Sequence, residues 1–325
     1  MLYARLIASR LFKAVVVLFL IIIFNFFLIQ MAPGDPAAIL AGEAGATDAE
    51  FLRQLTERFG LDQPLHVQLW RYVSGVATLD FGFSYRQQVP VLDLILERLP
   101  ATLLLTGTAF VLSLVLGIVA GSLAAARVKK PSGSVIMALA LVFYATPLFW
   151  VALMAVVLFS VYLEWLPAYG MYTVGAGHVG LAMALDVGKH LILPATTLAL
   201  FFMAIYTRMT RASMLEAAQQ DFVKTARAKG LSPRVIQRRH VLRNALLPII
   251  TLAGLQAGQM VGGAILTETV FAWPGIGRLM YEALQQRDYN LLLGIFFFSA
   301  ALVIVFNIVT DLVYRLADPR IKEGS

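Results

Sequence analysis

Cysteine is absent from the 325 residues, which excludes disulfides, thiol nucleophiles, thiolate zinc centres and cysteine-bound iron–sulfur clusters. Charge is scarce: Asp, Glu, Lys and Arg make up 14%, too few to clothe a water-exposed surface, and the mean hydropathy is +0.78. Such a chain is an integral membrane protein. Its four histidines, His66, His178, His190 and His240, include no i,i+4 pair, so no metal site is expected. No Gly-x-x-x-x-Gly-Lys-Ser/Thr occurs, and Val187-Gly188-Lys189-His190 lacks the upstream glycine, so the chain has no phosphate cradle of that kind. His-Glu-x-x-His and Gly-x-Ser-x-Gly are missing too, leaving an intramembrane enzyme little support. The run from Gly175 to Gly180 formally matches Gly-x-Gly-x-x-Gly. It follows no strand and lacks the acid about 20 positions on that a dinucleotide site needs, so it reads as a flexible loop. No catalytic residue, cofactor or metal is expected.

What is present is long apolar stretches. A helix crossing roughly 30 Å of hydrocarbon needs about 20 apolar residues. Six windows qualify: Ala14 to Met31, Thr102 to Ala126, Val135 to Leu163, His190 to Tyr206, Ile249 to Val270 and Leu291 to Tyr314. The first follows Arg5, Arg10 and Lys13 but is longer than a signal-peptide core and lacks a small-x-small cleavage site, so it reads as a retained span. Eighteen of the 26 Lys and Arg fall in alternate segments counted from the N-terminus, nine of them between Arg208 and Arg243. By the positive-inside rule both termini are cytoplasmic, and most of the +7 net charge reflects topology rather than a nucleic-acid partner.

The densest basic stretch, Asp221 to Arg243, places seven Lys and Arg against one Asp. From Ser213, apolar Met214, Ala217, Ala218, Phe222 and Ala226 recur at helical spacing, and Lys229-Gly230 supplies a C-terminal stop. Ser232 offers an N-cap oxygen and Pro233 the first position of a second helix through Val235, Ile236, Leu242 and Leu246, with Pro248 marking re-entry to the membrane. A DNA-binding helix-turn-helix needs an independently folded module, whereas this segment is tied to spans at both ends. A membrane-surface helix is physically reasonable but requires no bend. A bent helical pair suits a lever between a membrane domain and a cytosolic partner.

In the fifth window Gly254, Gly258 and Gly262 recur every four residues and allow close helix approach, while Gln256 and Gln259 point about 130° from that ridge, toward a wetted cavity or toward neighbouring helices. Glu268, at the outer end of the same window, and Asp311 read either as gates or as interhelical partners. The outer segment from Ala32 to Ala101 holds nine acids against five bases; Thr47-x-x-Glu50 reads as a capping box, and Leu65, Leu69 and Val73 suggest a further helix of a small outward-facing cap.

With these residues in hand, a resemblance emerges. Asp221 to Pro248, centred on Thr225-Ala226-Arg227-Ala228-Lys229-Gly230-Leu231-Ser232, resembles the cytoplasmic coupling loop of ATP-binding-cassette importer permeases. Lys224 stands where the general motif has Glu and Thr225 where it has the first Ala. The closing Leu-Pro reads Leu242-Arg243, with Leu247-Pro248 five residues later. Those departures resemble the dipeptide, oligopeptide and nickel branch. So do "MAPGDP" (31–36), "FGLDQPLHVQLWRYV" (59–73), "RLPATLLLT" (98–106) and "ETVFAWPGIGRLMYEAL" (268–284), which look like its B-type subunit.

The resemblance implies an all-α, six-span type I importer permease of a bacterial inner membrane. It divides into a first span plus outer cap (1–98), a five-helix core (99–314) with its coupling loop at 208–247, and a cytoplasmic tail (315–325). It implies a lipid-embedded half-channel partnered by a second permease subunit, two cytosolic ATPases that use the ATP, and an extracytoplasmic binding protein. The coupling residues carried over are Asp221, Thr225, Ala226, Arg227, Ala228, Lys229, Gly230, Leu231, Ser232 and Pro233. Gln256, Gln259 and Glu268 are the pathway candidates read from the residues. The competing reading is a secondary transporter or channel that works without an ATPase; the substrate itself is not written in the sequence.

Overall fold

A computed structural model describes residues 2–31, 62–84 and 86–317. The helices are α1 (Leu2–Gln30), α2 (Leu65–Ala77), α3 (Val91–Ala126), α4 (Pro131–Ala145), α5 (Leu148–Tyr162), α6 (Leu181–Ala217), α7 (Asp221–Ala228), α8 (Pro233–Val270), α9 (Ile276–Gln285) and α10 (Tyr289–Ala317). A two-stranded antiparallel hairpin, β1 (Phe83–Ser84) with β2 (Val89–Pro90), pairs Phe83 with Pro90 and Ser84 with Val89. The expected capping box at Thr47 lies outside the described residues, whereas the helix expected around Leu65 is α2.

Among the described residues four helices, α3, α6, α8 and α10, are long and apolar enough to cross a membrane, and the described apolar part of α1, Phe12–Leu28, is shorter. The window Val135 to Leu163, expected as one span, is built from two helices: α4 and α5 meet at a bend of 100°. Proline disfavours a helical residue before it, and Thr146 accordingly turns extended (φ −83°, ψ 133°) ahead of Pro147. The Thr146 amide and hydroxyl both donate to the Val142 carbonyl, at 3.0 and 2.7 Å, and close the end of α4.

The basic stretch needs two corrections. Ser213, Met214 and Ala217 belong to α6, so the short helix begins at Asp221 instead of Ser213. The segment after the bend is no separate surface helix. It runs unbroken into the fifth apolar window as α8, through a π-helical turn at Ile236–Val241, and Pro248 lies inside it. A π turn and a proline each loosen a helix locally without ending it when packing holds both sides.

The chain divides into two compact units, Met1–Leu99 with Leu279–Leu302, and Pro100–Arg278 with Val303–Ser325. In the first, Phe26 of α1 stacks on Tyr72 of α2 at 6.1 Å, and Gln30 donates to Gln68. Its hairpin is tied down by Ser84, which donates to the buried Asp288, and by Asn290, which donates to the Phe83 carbonyl; Asp288 also accepts from the Leu291 amide and caps α10.

The core of the second unit joins α3, α6 and α8 through Leu105, Leu198, Phe202, Tyr206, Ile249 and Met260. Two glycines let α3 and α6 touch: a Cβ at Gly117 would sit 2.4 Å from Cβ of Tyr206, and one at Gly121 would sit 2.5 Å from Cβ of Thr210. This Gly-x-x-x-Gly pair has the spacing recognised in α8 and was readable in the sequence on the same grounds.

Candidate functional site

α6 ends at Ala217 and the chain turns through Ala218–Gln220 into α7. Val223 and Ala226 on one face of α7 are buried in a cluster with Met214, Ala217, Ile236, Val241 and Ala245, so the short helix is seated on the ends of α6 and α8. Its outer face carries Asp221, Lys224, Thr225, Arg227 and Ala228, all exposed. Asp221 occupies the first turn and accepts from Lys224 at 2.8 Å, an exposed pair that adds little stability, while the Thr225 hydroxyl donates to the Asp221 carbonyl.

The end of α7 is a Schellman motif. The Leu231 amide donates back to the Ala226 carbonyl at 3.3 Å and the Gly230 amide to the Arg227 carbonyl at 2.9 Å. Gly230 adopts φ +74°, which only glycine takes without strain, and a Cβ there would meet nothing within 4 Å. Lys229 occupies the C-cap position.

Ser232 holds the N-cap position of α8 through its backbone, with its carbonyl accepting from the Ile236 amide at 3.0 Å; its side chain makes no cap bond, contrary to the expected role of its oxygen. Pro233 stands at the first helical position as expected. Arg234, Arg238, Arg239 and Arg243 are exposed like Lys224, Arg227 and Lys229, so all seven cations of the stretch face outward over an apolar underside.

The pathway candidates separate. Gln256 is buried and Gln259, three residues on, is exposed, so the two do not share an environment. Gly254 and Gly258 pack as expected: a Cβ would lie 1.6 Å from Cγ2 of Thr310 at the first and 2.9 Å from Cγ1 of Val303 at the second. Gly262 faces open space.

Glu268 is fully buried and is an interhelical partner. Its Oε1 accepts from the Thr102 hydroxyl of α3 at 2.7 Å and its Oε2 from the Arg278 amide at 3.0 Å. The Thr102 oxygen accepts in turn from the Ile276 amide, and the Trp273 indole donates to the Ala101 carbonyl. A Cβ at Gly275 would lie 2.2 Å from Oε1, so the turn closes directly on the carboxylate. Glu268 thus faces the turn and not an open path.

Sequence reading missed a second anchored element. Asp186, near the start of α6, accepts from the Thr173 amide at 2.7 Å and the Thr173 hydroxyl at 3.0 Å. Nδ1 of His178 lies 3.6 Å and Nδ1 of His190 3.4 Å from its carboxylate, while the His190 ring also bonds the Asp186 carbonyl. The Gly175–Gly180 run, expected as a flexible loop, is therefore flanked by contacts on both sides. No spacing rule links Thr173 to Asp186, so nothing in the sequence pointed to the clasp.

The chain matches two families along its length: "binding-protein-dependent transport system inner membrane component" at residues 117–323, and the N-terminal membrane component of the same systems at 2–106. The dipeptide transport system permease protein DppB of Alkalihalophilus pseudofirmus is 38% identical, over 96% of this chain and 98% of that one. The di/tripeptide permease DppB of Pseudomonas aeruginosa is also 38% identical, over 97% and 98%. Among solved structures, the MetNI methionine ABC transporter in inward-facing conformations aligns at a TM-score of 0.56 and 17% identity, covering 70% of this chain and 97% of the matched one, a likeness of fold. With the family matched over most of its residues and relatives aligned nearly end to end, the chain belongs to the binding-protein-dependent transport system inner membrane components.

Proposed function

We propose that the protein is one of two membrane subunits of an ATP-driven importer of peptides, and that α7 with its Gly230 corner receives the motion of a cytosolic ATPase. The observation that carries this is the corner itself: a short helix seated by Val223 and Ala226 on two long helices, with its polar face outward and a Schellman bend delivering it into α8. A protein moving solute on its own needs no such projecting element. The peptide substrate is supported by the relatives named above, which transport di- and tripeptides. The partners follow from the family: a sister permease, two ATPase subunits and an extracytoplasmic binding protein.

We read six crossings, namely α1, α3, the bent α4–α5 pair as one, α6, α8 and α10. With that parity α7 and both termini share one side, and the basic residues concentrated there support the cytoplasmic one.

The test is reconstitution in proteoliposomes with the partner subunits. Uptake is expected to require all of them, with this chain alone moving nothing. Uptake by this chain without an ATPase would instead establish a secondary transporter or channel.

A further inference from the structure

α8 has three faces. One, with Ile249, Ala253, Met260 and Ala264, is buried in the core against α6. A second, at Gly254 and Gly258, is closed by Thr310 and Val303 of α10. On the third, Thr251, Leu255, Gln259, Gly262 and Leu266 are all exposed. At 100° and 1.5 Å per residue these five fall within an arc of about 80° and extend for about 22 Å, most of the thickness of a hydrocarbon core.

Lipid is a poor neighbour for this face. The Gln259 amide carries two donors and an acceptor oxygen, it has no hydrogen bond among the described residues, and an amide left bare in hydrocarbon costs several kcal/mol. The Thr251 hydroxyl, by contrast, donates to its own helix at the Leu247 carbonyl. The face is also uncharged: from Leu247 to Thr267 the helix has no ionisable residue.

We infer that this face of α8 lines the translocation path, with the Gln259 amide meeting the backbone amides of the passing peptide and no charge there to select among its side chains. The inference rests on the importer reading above. An amide offers one donor-rich and one acceptor end, which matches a peptide bond in either direction. Apolar Leu255 and Leu266 on either side hold no fixed charge that would trap an ammonium or carboxylate terminus. Gln256 and Glu268, the other two candidates, are buried and lie off this face.

Because the chain has no cysteine, single cysteines report on the face directly in the reconstituted complex. L255C and Q259C are expected to react with a charged, membrane-impermeant maleimide and to be slowed several-fold by saturating dialanine, while Q256C stays unreactive. Q259E is expected to shift relative uptake of a cationic against an anionic dipeptide at least about tenfold toward the cation. The inference is overturned if Q259C resists the reagent in every nucleotide state. It is equally overturned if a photo-crosslinker at 259 captures the sister permease in place of peptide, or if the Q259E ratio stays within twofold of wild type. Failure of ATP-dependent uptake by the wild-type complex would sink the importer reading instead, so the two outcomes are distinct.

Discussion

At Gly230 the requirement is conformational and not steric, since φ is +74° and a Cβ meets open space. Asparagine tolerates that region far better than a β-branched residue, for which it is an outlier. G230N is therefore expected to keep most of the uptake per ATP hydrolysed, and G230V to lower that ratio at least about tenfold while the protein still inserts. Equal ratios in both variants would show that the corner does not transmit motion.

Glu268 is the opposite case, fixed entirely by its neighbours. E268A strands the Thr102 hydroxyl and the Arg278 amide, and each buried donor left unmade costs about 1–3 kcal/mol. The thermal midpoint of the purified protein should fall, and E268Q, which keeps an acceptor for Thr102, should fall less; an unchanged midpoint for E268A would contradict the role. The sequence showed an acid at the end of a span but not which role it takes, because Thr102 lies 166 positions earlier and only the fold brings them together.

At the scale of elements, the apolar cores of the spans were legible because hydrocarbon imposes a length, while their ends were not, because helices continue into water under local rules. α6 thus runs from Leu181 to Ala217 around an apolar window that stops at Tyr206. The break at Pro147 escaped because a hydropathy window scores what a residue prefers to touch and ignores whether it has an amide to donate. Spacing alone also overcounted the packing glycines of α8. G254V is expected to destabilise by about 1–3 kcal/mol or more through overpacking against Thr310, and G262A by far less. Comparable thermal midpoints for the two would refute that division. The loop before α6 offers a further check: the Thr173 amide should exchange slowly with deuterium in the wild type and lose its protection in D186A. Protection that survives the substitution would show that Asp186 is not what holds the loop.

For the whole molecule, the family and the membrane class were readable from motifs and composition, whereas topology rests on the bent α4–α5 pair counting once. In the cysteine-free chain, V174C, in the loop before α6, should react with an impermeant reagent in intact spheroplasts, and S232C only after permeabilisation. Labelling of both from one side would mean that the pair does not cross.

α8 has a mechanical consequence. It is 38 residues long, about 57 Å, and its closest glycine contact, Gly254 on Thr310, divides it into an arm of about 32 Å toward Pro233 and one of about 24 Å toward Val270. A seesaw pivoted there would convert a 1 Å push at Pro233 into about 0.8 Å of opposite travel at Val270. Pro248 and the π-helical turn lie on the longer arm, so a push applied at Pro233 would be absorbed in part as bending before it reached Gly254.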